Sequence, residues 1–261
     1  MKVIELAGAL TADAVKEVVH KEAAVVRVKR FFHPDACDNI AGNLLSSPLY
    51  GKYANAPKIG RVGRAFFETT VSHQALQDYF SQSREWLRML REACEPHQTP
   101  IDKLRLQLDE SWDPGAHLGR IAGRTMYAGL IRVFDQGAFA EPHQDHLDWD
   151  AAQHEIYDDA YYPVQIAGNV YLHMPEVGGE LALWSTSLSR TDYETRRIPG
   201  SYGVDVAGLG DPLVLTPEKG ELILFNARNV HRVDAPQKGH RVSASCFIGY
   251  RTDGQPLSIW S

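Results

Sequence analysis

Glu141-Pro142-His143-Gln144-Asp145 decides how this chain of 261 residues is read, because Asn229-Val230-His231-Arg232-Val233 and then Gly239-His240-Arg241-Val242-Ser243 answer it downstream. On a β-strand successive side chains alternate faces, so His143 and Asp145 project together from one side and can grip one ion. Such a tripeptide arises by chance in many chains, and its surroundings decide. Upstream, Tyr127-Ala-Gly-Leu-Ile-Arg-Val-Phe134 has strand character and ends in the turn signal Asp135-Gln-Gly137. Downstream come Gly168-Asn-Val-Tyr-Leu172, Gly178-Gly-Glu-Leu-Ala-Leu-Trp184 and Pro217-Glu-Lys-Gly-Glu-Leu-Ile-Leu-Phe-Asn226, then His231. A second pair, His146-Leu147-Asp148, overlaps the first and would point to the opposite face at His146. Pro142, able to start a short strand after Gly137, favours the first pair, and the second stays open as the alternative.

Two imidazoles and one carboxylate on one face of an octahedral metal make the facial triad of non-haem Fe(II) oxygenases, with three positions left for cosubstrate and oxygen. Ten residues past His231 sits Arg241, with Ser243 two further on and Ser245 and Phe247 following. A buried strand offering arginine and serine on one face can bind a dicarboxylate end-on.

This order of parts resembles the 2-oxoglutarate/Fe(II) dioxygenase superfamily, in its prolyl-hydroxylase-like branch, over roughly residues 127 to 251. The resemblance implies an α+β fold, a double-stranded β-helix (jelly roll, cupin-like) with N-terminal buttressing helices. It implies His143, Asp145 and His231 as iron ligands and catalytic residues, and Arg241 with Ser243 as the seat of the distal carboxylate of 2-oxoglutarate. Fe(II), 2-oxoglutarate as cosubstrate and O2 are the implied cofactors. Asn169 and Tyr171 share a face of their strand and could bond the proximal end of 2-oxoglutarate.

The blocks Arg61-Val-Gly-Arg-Ala-Phe-Phe-Glu68, Leu106-Gln-Leu-Asp-Glu-Ser-Trp112, Asn169-Val-Tyr-Leu172, Gly179-Glu-Leu-Ala-Leu-Trp184 and Pro256-Leu-Ser-Ile-Trp-Ser261 look like a small bacterial family. Its members hydroxylate or chlorinate free amino acids, lysine among them. In the related radical halogenases Gly or Ala replaces the carboxylate ligand and chloride fills the vacancy, so Asp145 points to hydroxylation. The expected function is hydroxylation of an sp3 carbon of a small free amino acid, such as lysine or another polar one. The alternatives are an oxygenase or halogenase of another small metabolite, a protein or nucleic-acid oxygenase, or a sensor without turnover.

A net charge of −6 argues against a dominant phosphate-backbone contact, hence against nucleic acid as partner. There is no run of eighteen apolar residues and no signal-peptide core, so no membrane association and a cytoplasmic location are expected. Cys37, Cys94 and Cys246 are few, odd in number and widely spaced, as reduced thiols would be. The oligomeric state is left between monomer and homodimer.

The whole chain, 1–261, reads as one domain: a mainly helical support region over 1–125, the β-helix core over 126–251, and a lid insertion at 185–213. Helices are expected from Thr11, after His33, over Ser72–Cys94 and from Thr99, each with a cap or proline at its start. The stretch 46–65 could drape over the barrel mouth, with Arg61 and Arg64, and Glu68 beside them, as substrate contacts; exposed salt bridges are the plainer reading. Glu110 and Trp112 could reach the pocket, although Asp113-Pro-Gly115 is first of all a helix stop. Asp148 and Asp150 lead an acidic, aromatic segment to Tyr162 suited to an ammonium group, against the alternative of a solvated loop.

Overall fold

Three stretches of alternating residues, Leu130–Phe134, Val164–His173 and Arg241–Tyr250, form neighbouring strands in a computed structural model that describes residues 1–53 and 56–261. In chain order the N-terminal part runs β1 (Val3–Ala7), α1 (Ala12–Val19), β2 (Val25–Lys29), α2 (Pro34–Leu45), β3 (Tyr50–Lys52) and β4 (Ile59–Val62). After a 3-10 turn at Phe66–Val71 come α3 (His73–Cys94), α4 (Pro100–Ser111), β5 (Ala116–Leu118), β6 (Arg120–Ile121) and β7 (Arg124–Thr125). Next are β8 (Leu130–Phe134), β9 (Ala140–His143), α5 (Leu147–Ala152), β10 (Val164–His173), β11 (Leu181–Leu183) and α6 (Arg190–Thr195). The last strands are β12 (Leu213–Leu215), β13 (Leu222–Asn226), β14 (His231–Val233), β15 (Arg241–Tyr250) and β16 (Leu257–Trp260).

Two sheets face each other. The larger has the order β1-β2-β13-β10-β15-β8-β4-β3, with β16 beside β15 and β5 beside β16; the smaller has the order β12-β11-β14-β9. Period-2 alternation gives the large sheet two different faces. Ile131, Val133, Ile166, Val170, Val242, Ala244, Cys246 and Ile248 pack outward against α1, α2 and α4. The opposite face carries Arg132, Phe134, Ala167, Asn169, Tyr171, Arg241 and Ser243, and its apolar members meet Leu181, Leu183, Leu215 and Val233 of the small sheet. Gly137 turns β8 into β9 at φ +77°, in the left-handed region that glycine enters without a Cβ penalty.

The helices start where side chains can satisfy their first amides. Thr11, Ser72 and Thr99 accept from the backbone N–H of Ala14, Ala75 and Asp102, and Pro34 and Pro100 occupy first-turn positions. Leu104 and Leu108 of α4 are fully buried against the sheet. Each contributes roughly 1.5–3 kcal/mol by burial, and Leu104→Ala should cost about 2–5 kcal/mol.

The sheet does not keep to the expected division near residue 126. β1 to β4 lie before it and β16 lies after 251, all hydrogen-bonded into the large sheet. The β-branched run Val25–Lys29 covers the edge of β13 and Ile59–Val62 covers that of β8, satisfying backbone groups that would otherwise be unpaired. The 185–213 insertion is pinned by its own cluster of Trp184, Leu188, Tyr193 and Val204. Of the stretch 46–65, Ala54 and Asn55 lie outside the described residues.

Candidate active site

The β9–β14 ladder sets His143 directly opposite His231, ring centroids 4.3 Å apart. β9 ends at His143, so Asp145 lies just beyond the strand rather than on it. Its backbone N–H donates to the Ala227 carbonyl at 3.0 Å, and its Oδ2 comes within 3.3 Å of His231 Nε2 and 3.9 Å of His143 Nε2. His143 Nδ1 lies 2.6 Å from the Glu141 carbonyl and His231 Nδ1 2.9 Å from that of Asn229. A carbonyl only accepts, so each Nδ1 carries the proton and each Nε2 turns its lone pair toward Asp145.

One ligand atom from each of the three residues lies within 4.8 Å of the others. Bonds of about 2.1 Å at right angles place neighbouring ligand atoms about 3 Å apart, close to the spacing here. Asp145 Oδ2 is buried and has no hydrogen-bond partner among the described residues. An orphaned buried carboxylate oxygen flanked by two imidazole lone pairs is costly as it stands and is satisfied by a cation. The residues fit a divalent iron.

Burial and the neighbouring His231 push the His143 imidazole down to about 4 despite Asp145. Burial alone would raise the Asp145 carboxyl, but His143, His231 and Arg132 hold it below the ordinary carboxylate range. A neutral imidazole and a charged carboxylate are the protonation states that metal ligands need.

The overlapping pair is engaged elsewhere. His146 stacks on Trp149 at 3.7 Å, and Asp148 pairs with Arg228 at 3.0 Å.

Above the triad opens a cavity of about 470 Å³ whose lining includes Arg241, Ser243, Asn169 and Asp150. Arg241 is 2% exposed, lies between the rings of Phe134 and Tyr171, and has no carboxylate within 4.0 Å among the described residues. Asn169 Oδ1 accepts from Ser245 Oγ at 2.7 Å. Tyr171 departs from the expectation that it meets the proximal end of the cosubstrate. It is absent from the cavity lining, and its hydroxyl lies 3.3 Å from Arg241 Nη2, where it can position the guanidinium.

Most of the expected substrate contacts are not in the cavity wall. Arg61 pairs with Glu68 at 2.8 Å and donates to the Gly63 carbonyl, and Arg64 is half-buried away from the lining. Glu110 is exposed, and Trp112 is buried on the outer side of the sheet with Nε1 donating to the Gln255 carbonyl. Asp148 is absent from the lining, held by Arg228. Asp150 alone of the six faces the cavity; burial, then Asp145 and Asp148, push its carboxyl up. Arg132, Tyr53 and Tyr193 line the cavity and were not anticipated. An arginine inside the apolar run Leu-Ile-Arg-Val-Phe was the available signal for the first, since a charge in a buried strand calls for an explanation.

Residues 128–249 match the family described as the 2OG-Fe(II) oxygenase superfamily. The chain is 26% identical to an L-gamma-glutamyl-L-propargylglycine hydroxylase of Streptantibioticus cattleyicolor, over 98% of this chain and 94% of that one. It is 27% identical to an L-isoleucine 3(1)-dioxygenase of Pantoea ananatis, over 58% of this chain and 53% of that one. Its backbone superimposes on the crystal structure of an N-substituted L-amino acid dioxygenase from Burkholderia ambifaria with a TM-score of 0.68. That pair shares 15% identity, with 97% of this chain and 92% of the other covered, and the likeness is one of fold.

Proposed function

With residues 128–249 forming a 2OG-Fe(II) oxygenase superfamily domain, we propose that this chain hydroxylates an sp3 carbon of a free or N-acylated amino acid, using Fe(II), 2-oxoglutarate and O2. The observation that carries the reading is charge of both signs around one triad. Arg132, Arg190 and Arg197 line the cavity together with Glu194 and with Asp150, whose raised carboxyl would ionise against a substrate ammonium, the pattern a zwitterion needs. A volume of about 470 Å³ leaves room for the cosubstrate and one small molecule, within the range of about 300–1,000 Å³ common for ligand sites. Two of the relatives are named for action on amino acids or a γ-glutamyl derivative of one, which supports the same class.

His143, Asp145 and His231 would hold the iron, which with its cosubstrate and O2 supplies the oxidant for the C–H bond. Arg241 and Ser243 would seat the distal carboxylate of 2-oxoglutarate, with Tyr171 fixing the guanidinium. Phe134, Leu181, Phe225 and Val233 line the chamber with apolar groups that exclude water. Asp145 takes the third protein position, so chloride has no ligand vacancy and hydroxylation is the expected outcome. Among the described residues no helix is long and apolar enough to cross a membrane, and with three unpaired buried thiols the cytoplasm is the proposed compartment.

The test is a screen of free L-amino acids and their γ-glutamyl derivatives for stimulated succinate release, with mass spectrometry for the gain of one oxygen atom. A hydroxylated product from one of them is expected. If no member of either set raises succinate above the uncoupled background, the reading is wrong.

A further inference from the structure

Arg132 is a cation with no carboxylate in contact among the described residues; the acid it feels is Asp145 of the triad, at longer range. Alternation along β8 turns Leu130, Arg132 and Phe134 to the interior, so this guanidinium stands between two buried apolar side chains and faces the cavity. Its two cross-strand neighbours are Arg61 on β4 and Ser243 on β15. Arg61 is also a cation and takes Glu68 for itself, and Ser243 carries no charge. Among the described residues no carboxylate lies within 4.0 Å of Arg132, whereas Arg27, Arg61, Arg91 and Arg228 each have one. A charge at such a site is ordinarily paired, and a fold keeps an unpaired one where a ligand supplies the partner.

Tyr53 is the second observation. Its side chain is 4% exposed, it lines the same cavity, and its hydroxyl oxygen turns toward the Arg132 guanidinium, while its own O–H finds no acceptor among the described residues. An O–H without an acceptor beside a guanidinium without a carboxylate in contact makes a pair of donors with room for an acceptor, which is the outline of a carboxylate seat. Arg241 lies across from Phe134 and Arg132 across from Ser243, so the two guanidinium-bearing positions are offset by two residues along the ladder, about 7 Å. One seat suits the cosubstrate and the other a second carboxylate.

We propose that Arg132 and Tyr53 together hold the carboxylate of the amino-acid substrate, and by anchoring that end decide which carbon is presented to the triad. The inference rests on the amino-acid reading above and adds to it the residues that read the acid group.

The experiment is anaerobic calorimetric titration of the full chain, loaded with Mn(II) and 2-oxoglutarate, with free L-amino acids and γ-glutamyl dipeptides, each as acid and as carboxamide. For wild type the acid should bind ten- to a hundredfold more tightly than its amide, roughly the strength of a charge-assisted hydrogen-bond pair. Arg132→Gln should erase that preference, leaving the affinity for 2-oxoglutarate within about twofold and the amide's affinity nearly unchanged. Arg132→Lys should keep part of the preference, and Tyr53→Phe should reduce it about two- to tenfold. Without ligands Arg132→Gln should melt close to the wild type, because relief of the buried charge offsets the lost attraction to Asp145; if it does not fold, Arg132→Lys and Tyr53→Phe carry the same acid-to-amide comparison. A variant that keeps the full preference for the acid, or loses affinity for 2-oxoglutarate instead, overturns the inference alone. A wild-type protein that binds no acid of either set overturns it together with the amino-acid reading.

Discussion

Arg241→Met gives the sharpest test of the cosubstrate seat, because it removes the charge and keeps an unbranched stem between Phe134 and Tyr171. In the wild type Arg241 is 2% exposed and lacks an acidic partner, so the distal carboxylate of 2-oxoglutarate would be its counter-ion. Depriving one member of a buried charge pair of the other costs about 3–5 kcal/mol, equivalent to two or more orders of magnitude in Kd. With 2-oxoglutarate at a hundred times its wild-type Kd, linkage stabilises the wild type by about 2.7 kcal/mol. The variant, at or below its own Kd, would gain less than about 0.4 kcal/mol. For a protein of this size that separates a rise in Tm of about 5–11 °C from one of about 1 °C. The assay is thermal unfolding of both proteins with Mn(II), with and without 2-oxoglutarate. Without 2-oxoglutarate they should melt close together, since the wild-type charge has no partner to lose. A wild-type-sized, 2-oxoglutarate-dependent rise in the variant would refute the assignment and move the cosubstrate elsewhere.

His231→Ala should abolish the Fe(II)-dependent visible band that the protein gives with 2-oxoglutarate under anaerobic conditions, together with turnover; a retained band would remove His231 from the ligand set. Asp145→Gly in chloride should lose most hydroxylation of a responding substrate, and full retention would show that Asp145 is not a ligand. Trp112→Ala should destabilise by about 3–5 kcal/mol with an unchanged KM, and Glu110→Ala should leave both stability and KM alone, because neither residue lines the cavity; a raised KM in either would return it to the substrate. Burial pushes the Cys37 thiol up to about 11 and those of Cys94 and Cys246 up to about 12, from an ordinary 9. The native protein should therefore resist a thiol reagent at pH 8 and expose three thiols on denaturation. Above about pH 9 the unfolded chain sheds protons that the folded chain keeps, so stability should fall as pH rises from there toward 11. Rapid labelling of native protein at pH 8 would contradict the buried placement.

Short-range chemistry was open to reading in the chain itself. Alternation placed Arg241 and Ser243 on one face and Cys246 on the other, and the caps at Thr11, Ser72 and Thr99 begin helices because a hydroxyl satisfies an amide three residues on. Alternation suggested His143 and Asp145 as a pair on one side, and the resemblance to the dioxygenase superfamily, carried by the order of the surrounding segments, implied His231 as the third donor.

Partner choice was decided only by the folded chain. For Arg61 a substrate contact and the plainer salt bridge were both open until β4 paired with β8 and the 3-10 turn brought Glu68 within 2.8 Å, in favour of the salt bridge, which is largely buried rather than exposed. Asp148 was equally plausible until Arg228, eighty residues away, closed on it. Tyr171 shares its face with Asn169, as alternation requires, but which end of a ligand it meets depends on where Arg241 of the neighbouring strand sets its guanidinium. Arg132 was visible as a charge in an apolar strand, yet whether it had an acid beside it could be learned only once β4, β8 and β15 were side by side. Periodicity is a property of one segment and determines which face a residue takes. Pairing depends on two segments, and the distance between them is set by the packing of the whole.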